Sequence, residues 1–172
     1  HYTFRKKLSH TADSQDQRHR MVPGSRPLLT RTVPDRVDAI EPELVARDPA
    51  CHAVYVEALE AAWDARARLA ALGVAPEHAL YVLPNALAVR FEESGSLLHL
   101  LHKWTMRTCL NAQREIWDAS MEEVAQLRAV HPQLARHVGP PCAVRTGLVQ
   151  PRCTEGTHFC GIPVWRSFPD VE

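Results

Sequence analysis

The chain has 172 residues, with twenty Lys and Arg balanced by twenty Asp and Glu, ten His and five Cys. That length fits a single domain, 1-172, with room for a sizeable core, and the zero net charge argues against a globally basic nucleic-acid or membrane-surface binder. No apolar run reaches the length of a membrane span, no hydrophobic leader opens the chain, and five cysteines without a tight framework point to a reducing compartment, so a cytoplasmic protein is expected.

Tyr2 to Lys6 reads as a strand, and Ser9 as the N-cap of a helix running to about Gln17. That helix has almost no apolar face, since His10, Thr11, Asp13, Ser14, Gln15, Asp16 and Gln17 are all polar; it is expected to line a wet cavity or a subunit interface. Residues 27 to 50 carry four prolines and no sustained periodicity, which predicts an irregular connection with one short helix around Glu41 to Arg47. A long helix follows from Ala50 to Leu72, with Cys51, Tyr55, Leu59 and Trp63 recurring every four residues and Gly73 ending it. After a helical turn beyond Pro76, Ala86 to Phe91 alternates as a strand with Leu87, Val89 and Phe91 on one face. Ser94-Gly95-Ser96 caps a helix from Leu97 to Thr108. Its predicted buried side is Leu97, Leu101 and Trp104, and its open side His99, Lys103 and Arg107. Asn111 is placed as the cap of a last long helix through Val130, with Trp117, Met121, Val124 and Leu127 as its stripe; Tyr2, Trp63 and Trp117 are assigned to the core. The fold class expected is α+β, a small sheet flanked by several helices.

One stretch concentrates chemistry. Asp13 to Arg26 packs Arg18-His19-Arg20 behind Gln15 and Gln17 and continues into Pro23-Gly24-Ser25-Arg26. Guanidiniums offer rigid forked donors suited to phosphates and carbonyl oxygens, and a Pro-Gly turn brings backbone N–H groups near the same anion. Charge is skewed toward this end: residues 1 to 31 hold seven basic residues (5, 6, 7, 18, 20, 26, 31) against two acids (13, 16). Residues 33 to 79 hold nine acids (35, 38, 41, 43, 48, 57, 60, 64, 77) against four arginines (36, 47, 66, 68). The stretch reads as an anion-cofactor or nucleotide site.

The Arg-His-Arg triplet three residues after Gln15 resembles the signature of the flavin-dependent thymidylate synthases, and the preceding HYTFRKK resembles the strand leading into it there. A second block keeps the family's order and spacing: Val82-Leu83-Pro84, Arg90, Met106-Arg107 and Ala112-Gln113-Arg114-Glu115-Ile116. Tyr2 to Leu127 is covered; in the family an additional strand and helix precede this point. The resemblance implies a homotetramer whose sites lie between subunits. It also implies FAD, NADPH and 5,10-methylenetetrahydrofolate as the working set, with a uridylate, UMP or dUMP, methylated at C5. By position, Arg18, His19 and Arg20, with Ser96 and His102, would bind the flavin. Gln15 would touch the nucleotide, Gly24, Ser25 and Arg26 its phosphate, and Arg107 the pyrimidine or phosphate as both substrate-binding and catalytic residue.

The chain departs from the family at several of these points. The serine expected eight residues after the triplet is Leu28, which shifts phosphate contact to Ser25 and Arg26. Flavin-contacting Asn and Arg positions are Ser96 and Leu98, a later Asn is His102, and an Arg before Val-Leu-Pro is Leu80. Such changes fit a branch acting on UMP instead of dUMP, as in the C5-methylation step of nucleoside-antibiotic pathways. The tail from residue 139 to 172 is Cys- and Pro-rich; Cys142, Cys153, Cys160 and His158 together make a candidate zinc set, with reduced buried cysteines as the alternative. Two other classes stay open beside the enzyme: a degenerate member that binds nucleotide or flavin without catalysis, and a zinc-stabilised binding module.

Overall fold

The computed structural model describes residues 1–145, 147 and 149–171. Its elements in chain order are β1 (Tyr2–Ser9), α1 (His10–Asp16), β2 (Gly24–Ser25), α2 (Leu29–Thr32), α3 (Glu43–Ala46), α4 (Pro49–Ala71), α5 (Pro76–Ala79), β3 (Ala88–Gly95), α6 (Leu97–Arg107), α7 (Arg114–Val130), α8 (Pro132–Ala135) and α9 (Pro141–Val144). Single 3-10 turns cover Leu80–Val82, Gly156–His158 and Val164–Arg166. The strands form one sheet in the order β1-β3-β2, so the α+β reading holds. The chain divides into two compact units: His1–Phe4, His19–Pro23 and Glu93–Glu172 in the first, Arg5–Arg18 and Gly24–Glu92 in the second.

In the first unit, Phe4, Val22, Leu100, Trp104, Val124, Leu127, Ala135 and Val138 form the core, with Leu97 and Leu101 packed against it. Ser96 starts α6 as expected, accepting from the His99 backbone N–H. The predicted open side of α6 needs a correction at Lys103, which is fully buried and ion-paired with Glu93 and Glu123. Glu93 arrives there by strand alternation: beyond buried Ala88 at its start, β3 buries Val89, Phe91, Glu93 and Gly95 in turn. Trp104 donates its indole N–H to Glu123 at 2.7 Å. The single ammonium offsets one of the two negative charges, and the Trp104 indole N–H adds a donor to Glu123. Asn111 does not cap α7; Gln113 is the N-cap, without a side-chain bond, because the Asn111 amide donates to the His158 carbonyl at 2.7 Å and to Glu155 at 3.3 Å.

The second unit has a smaller core of Val33, Leu59, Trp63 and Leu87. Ser9 caps α1 by accepting from Ala12 N–H at 3.1 Å, and the next free donors, His10 and Thr11 N–H, reach the Leu87 and Asn85 carbonyls. The polar helix lines no wet cavity through its acids: Asp13 and Asp16 are buried, Asp16 on Lys6 at 2.6 Å and Asp13 on Arg26. Across the 23 residues of α4 only Leu59 and Trp63 are buried; Cys51, expected on the apolar stripe, is exposed, and Tyr55 is half-buried with its hydroxyl on the Ile40 carbonyl.

Candidate functional site

In the first unit, His19 and His102 meet edge to face with ring centroids 5.7 Å apart, although 83 positions separate them in sequence. His19 is half-buried and His102 exposed, so the pair presents an imidazole edge to solvent. Arg20 beside it is exposed, and among the described residues it has no side-chain acceptor. The turn is held by Val22, whose N–H bonds the His19 carbonyl at 2.9 Å and whose side chain is buried in the core. Arg107 ends α6 half-buried, one helical turn after the buried Lys103. Ser96 spends its hydroxyl on the α6 cap.

In the second unit, Gln15 is half-buried on α1 and Arg18 exposed just past its end; among the described residues Arg18 likewise has no side-chain acceptor. Arg26 differs from expectation. Its guanidinium lies over the Phe91 ring at 4.6 Å and grips Asp13 with Nε at 2.8 and 2.9 Å and Nη2 at 2.7 Å. A group so occupied is a structural cation, and the phosphate contact expected of it is withdrawn. Gly24 is explained by the same packing: a Cβ there would meet Phe91 at 3.2 Å and displace the Arg26 head. Ser25 is exposed in β2. Arg90, part of the second sequence block, is bound to Asp38. Arg90 first, then Lys7, holds the Asp38 carboxyl below the usual carboxylate range against the opposing effect of burial.

A pocket of about 440 Å³ in this unit is lined by Leu83 and Pro84 of the second block together with His10, Leu80, Tyr81 and Asn85. In the sequence Leu83 and Pro84 read only as part of a motif, not as part of a concave wall. Tyr81, 86% exposed, was the available signal: an aromatic next to Val-Leu-Pro with no apolar period to bury it.

The zinc set drawn from the sequence requires correction. Among the described residues no three His, Cys, Asp or Glu side chains stand where they hold a metal ion, and His158 is exposed. All five cysteines are free thiols. The neighbour that Cys142, Cys153 and Cys160 do share is Cys109. Burial pushes the Cys109 and Cys142 thiols up, and each feels the charges of the other cysteines of this group.

Residues 1–133 match the family described as thymidylate synthase complementing protein. A flavin-dependent thymidylate synthase of Geobacter sulfurreducens is 32% identical over 157 residues, 90% of this chain and 65% of that protein. That of Clostridium tetani is 26% identical over 170 residues, 90% of this chain and 66% of its own length. The chain therefore spans just under two thirds of these relatives. A crystal structure of the UMP/dUMP methylase PolB from Streptomyces cacaoi, bound with 5-Br UMP, superimposes with a TM-score of 0.68 over 80% of this chain and 75% of that one, at 19% identity. At that identity the match speaks for the fold.

Proposed function

The chain belongs to the thymidylate synthase complementing protein family, that of the flavin-dependent thymidylate synthases, and from that premise we propose that it methylates a uridylate, UMP or dUMP, at C5. The observation that carries the reading is the cationic turn: Arg18 and Arg20 are both exposed and, among the described residues, without acceptors, and they flank an imidazole seated on a second imidazole. At the positions of the matched motif, these exposed guanidiniums fit an anionic ligand.

That donor set suits FAD. Arg18, His19, Arg20 and His102 would hold it, and when bound the reduced flavin supplies the hydride, with NADPH as its reductant and methylenetetrahydrofolate as the one-carbon donor. Guanidinium donors beside the isoalloxazine favour its anionic form. By motif position, Gln15 and Ser25 of the second unit and Arg107 of the first would each contact a nucleotide; Arg107 sits on a helix end one turn after the buried Lys103 cluster, which holds that end in place. Ser96 contributes through the α6 cap. Assembly into a homotetramer is part of this proposal on the family relationship.

The test is incubation of the purified protein with FAD, NADPH, methylenetetrahydrofolate and either UMP or dUMP, with methylated nucleotide read by mass spectrometry. Product from one nucleotide identifies the substrate. Flavin binding without product from either supports a degenerate binding protein instead, and neither binding nor product overturns the reading.

A further inference from the structure

Four cysteines from distant parts of the sequence gather in the first unit around one tail. Cys109 lies in the α6–α7 turn, Cys142 in α9, and Cys153 and Cys160 in the loops after it. Hydrogen bonds tie these segments together. Asn111, two residues after Cys109, donates to the His158 carbonyl at 2.7 Å and to the Glu155 carboxylate at 3.3 Å, on the loop between Cys153 and Cys160. Arg152, next to Cys153, donates to the carbonyl of Cys142 itself at 3.0 Å. Cys142 is buried and the other three are half-buried, and none forms a disulfide.

Besides these bonds the tail is held by the Phe159–Trp165 stack and Arg152 over Trp165, with little apolar burial. After Val138 the described residues make only turns and helices of three or four residues, none with a side-chain cap, and few apolar side chains are buried, Cys142 and Val164 among them. So small an apolar core does not order such a segment, and small loop-rich elements of this kind are commonly stapled by a disulfide or a metal. The thiols being free, a metal is the staple that four such cysteines could supply.

We propose that Cys109, Cys142, Cys153 and Cys160 bind one zinc ion as a four-thiolate structural site joining the tail to the α6–α7 turn. The thiols are neighbours without being in ligating positions. Protonated thiols have nothing to draw them to a common point. Zinc does: each Zn–S bond forms as the thiol proton leaves to solvent, and four thiolates give a site of net charge −2, offset in part by Arg152. His158, the imidazole in the sequence-derived set, is replaced by Cys109. Because Cys109 stands two residues after Arg107, the metal would also steady the helix end that carries that side chain.

The experiment is metal analysis of the whole purified chain, with cobalt substitution as an independent readout, and neither depends on uridylate chemistry. Plasma mass spectrometry is expected to give about one zinc per chain. Adding Co²⁺ to reduced, zinc-stripped protein is expected to produce the intense near-ultraviolet band of thiolate-to-cobalt charge transfer. C109S and C153S should lose most of the zinc, while C51S, on the exposed face of α4, keeps it. A chain purified without zinc that also gives no cobalt band overturns the site, whatever the variants do. Full zinc retention in C109S together with C153S overturns this ligand set.

Discussion

Two sets of cations in this molecule contrast. Lys6, Arg26, Arg90 and Lys103 each have a carboxylate partner, and Lys6 and Lys103 are almost fully covered. Arg18 and Arg20 lie within a few residues of α1, in the same basic stretch of sequence, and are exposed with no acceptor among the described residues. The first group is part of the fold: its charges answer buried acids that would otherwise be uncompensated. The second adds nothing visible to the fold, and under the proposed function a bound anion would be its counter-charge. A basic stretch is thus not one feature; it divides into cations paired within the fold and exposed ones proposed to meet a ligand.

The comparison is broken most severely at Lys103. Lys103→Ala leaves Glu93 and Glu123 buried without their cation and should cost about 3–5 kcal/mol of stability, read as a drop in the urea midpoint. A loss under about 1 kcal/mol would mean the cluster is solvated, contrary to its burial. Arg18→Ala and Arg20→Ala should do the opposite. Unfolding free energy should stay within about 0.5 kcal/mol of the parent, while FAD affinity weakens by about 1.5–3 kcal/mol for each charge-assisted hydrogen bond removed. Arg26→Ala is the intermediate case: removing the partner of buried Asp13 should cost about 1–3 kcal/mol in thermal or urea unfolding without a direct effect on phosphate binding.

The smallest effect concerns pH. Arg90 and Lys7 lower the folded-state value of Asp38, so its contribution to stability is present above the ordinary carboxylate range and is lost as pH falls through the lowered value. Asp38→Asn should therefore flatten the acid limb of a stability-against-pH curve while changing stability at neutral pH by less than about 1 kcal/mol, because both cations are largely solvated. An unchanged acid limb would show that the pair contributes nothing.

Local signals were readable where one residue decides the outcome. Ser9 and Ser96 cap the helices assigned to them, because a hydroxyl before a helix has one good use. The α+β class was accessible from the pattern of elements, and the triplet and the Val-Leu-Pro block from their resemblance to the family. Lys103 was not. On α6 it stands at the helical period of His99 and Arg107, a row that reads as solvent-facing, and its partners lie 10 and 20 positions away in sequence. The role of Arg26 was hidden for the same reason: nothing local distinguishes a guanidinium aimed at phosphate from one closed on Asp13. Cys109 escaped because it sits 33 residues before Cys142, beyond any familiar ligand spacing, and only the folded tail brings the two into one neighbourhood.

The most direct test of the central claim is an FAD titration of the purified protein and of Arg20→Ala, followed by visible absorption and paired with urea unfolding of both. The expected result is saturable binding that bleaches with NADPH in the parent, and affinity at least roughly tenfold weaker in the variant with an unchanged unfolding curve. A folded parent that takes up no flavin, or a variant that binds it equally well, would contradict the assignment of the unpartnered cations to a flavin site.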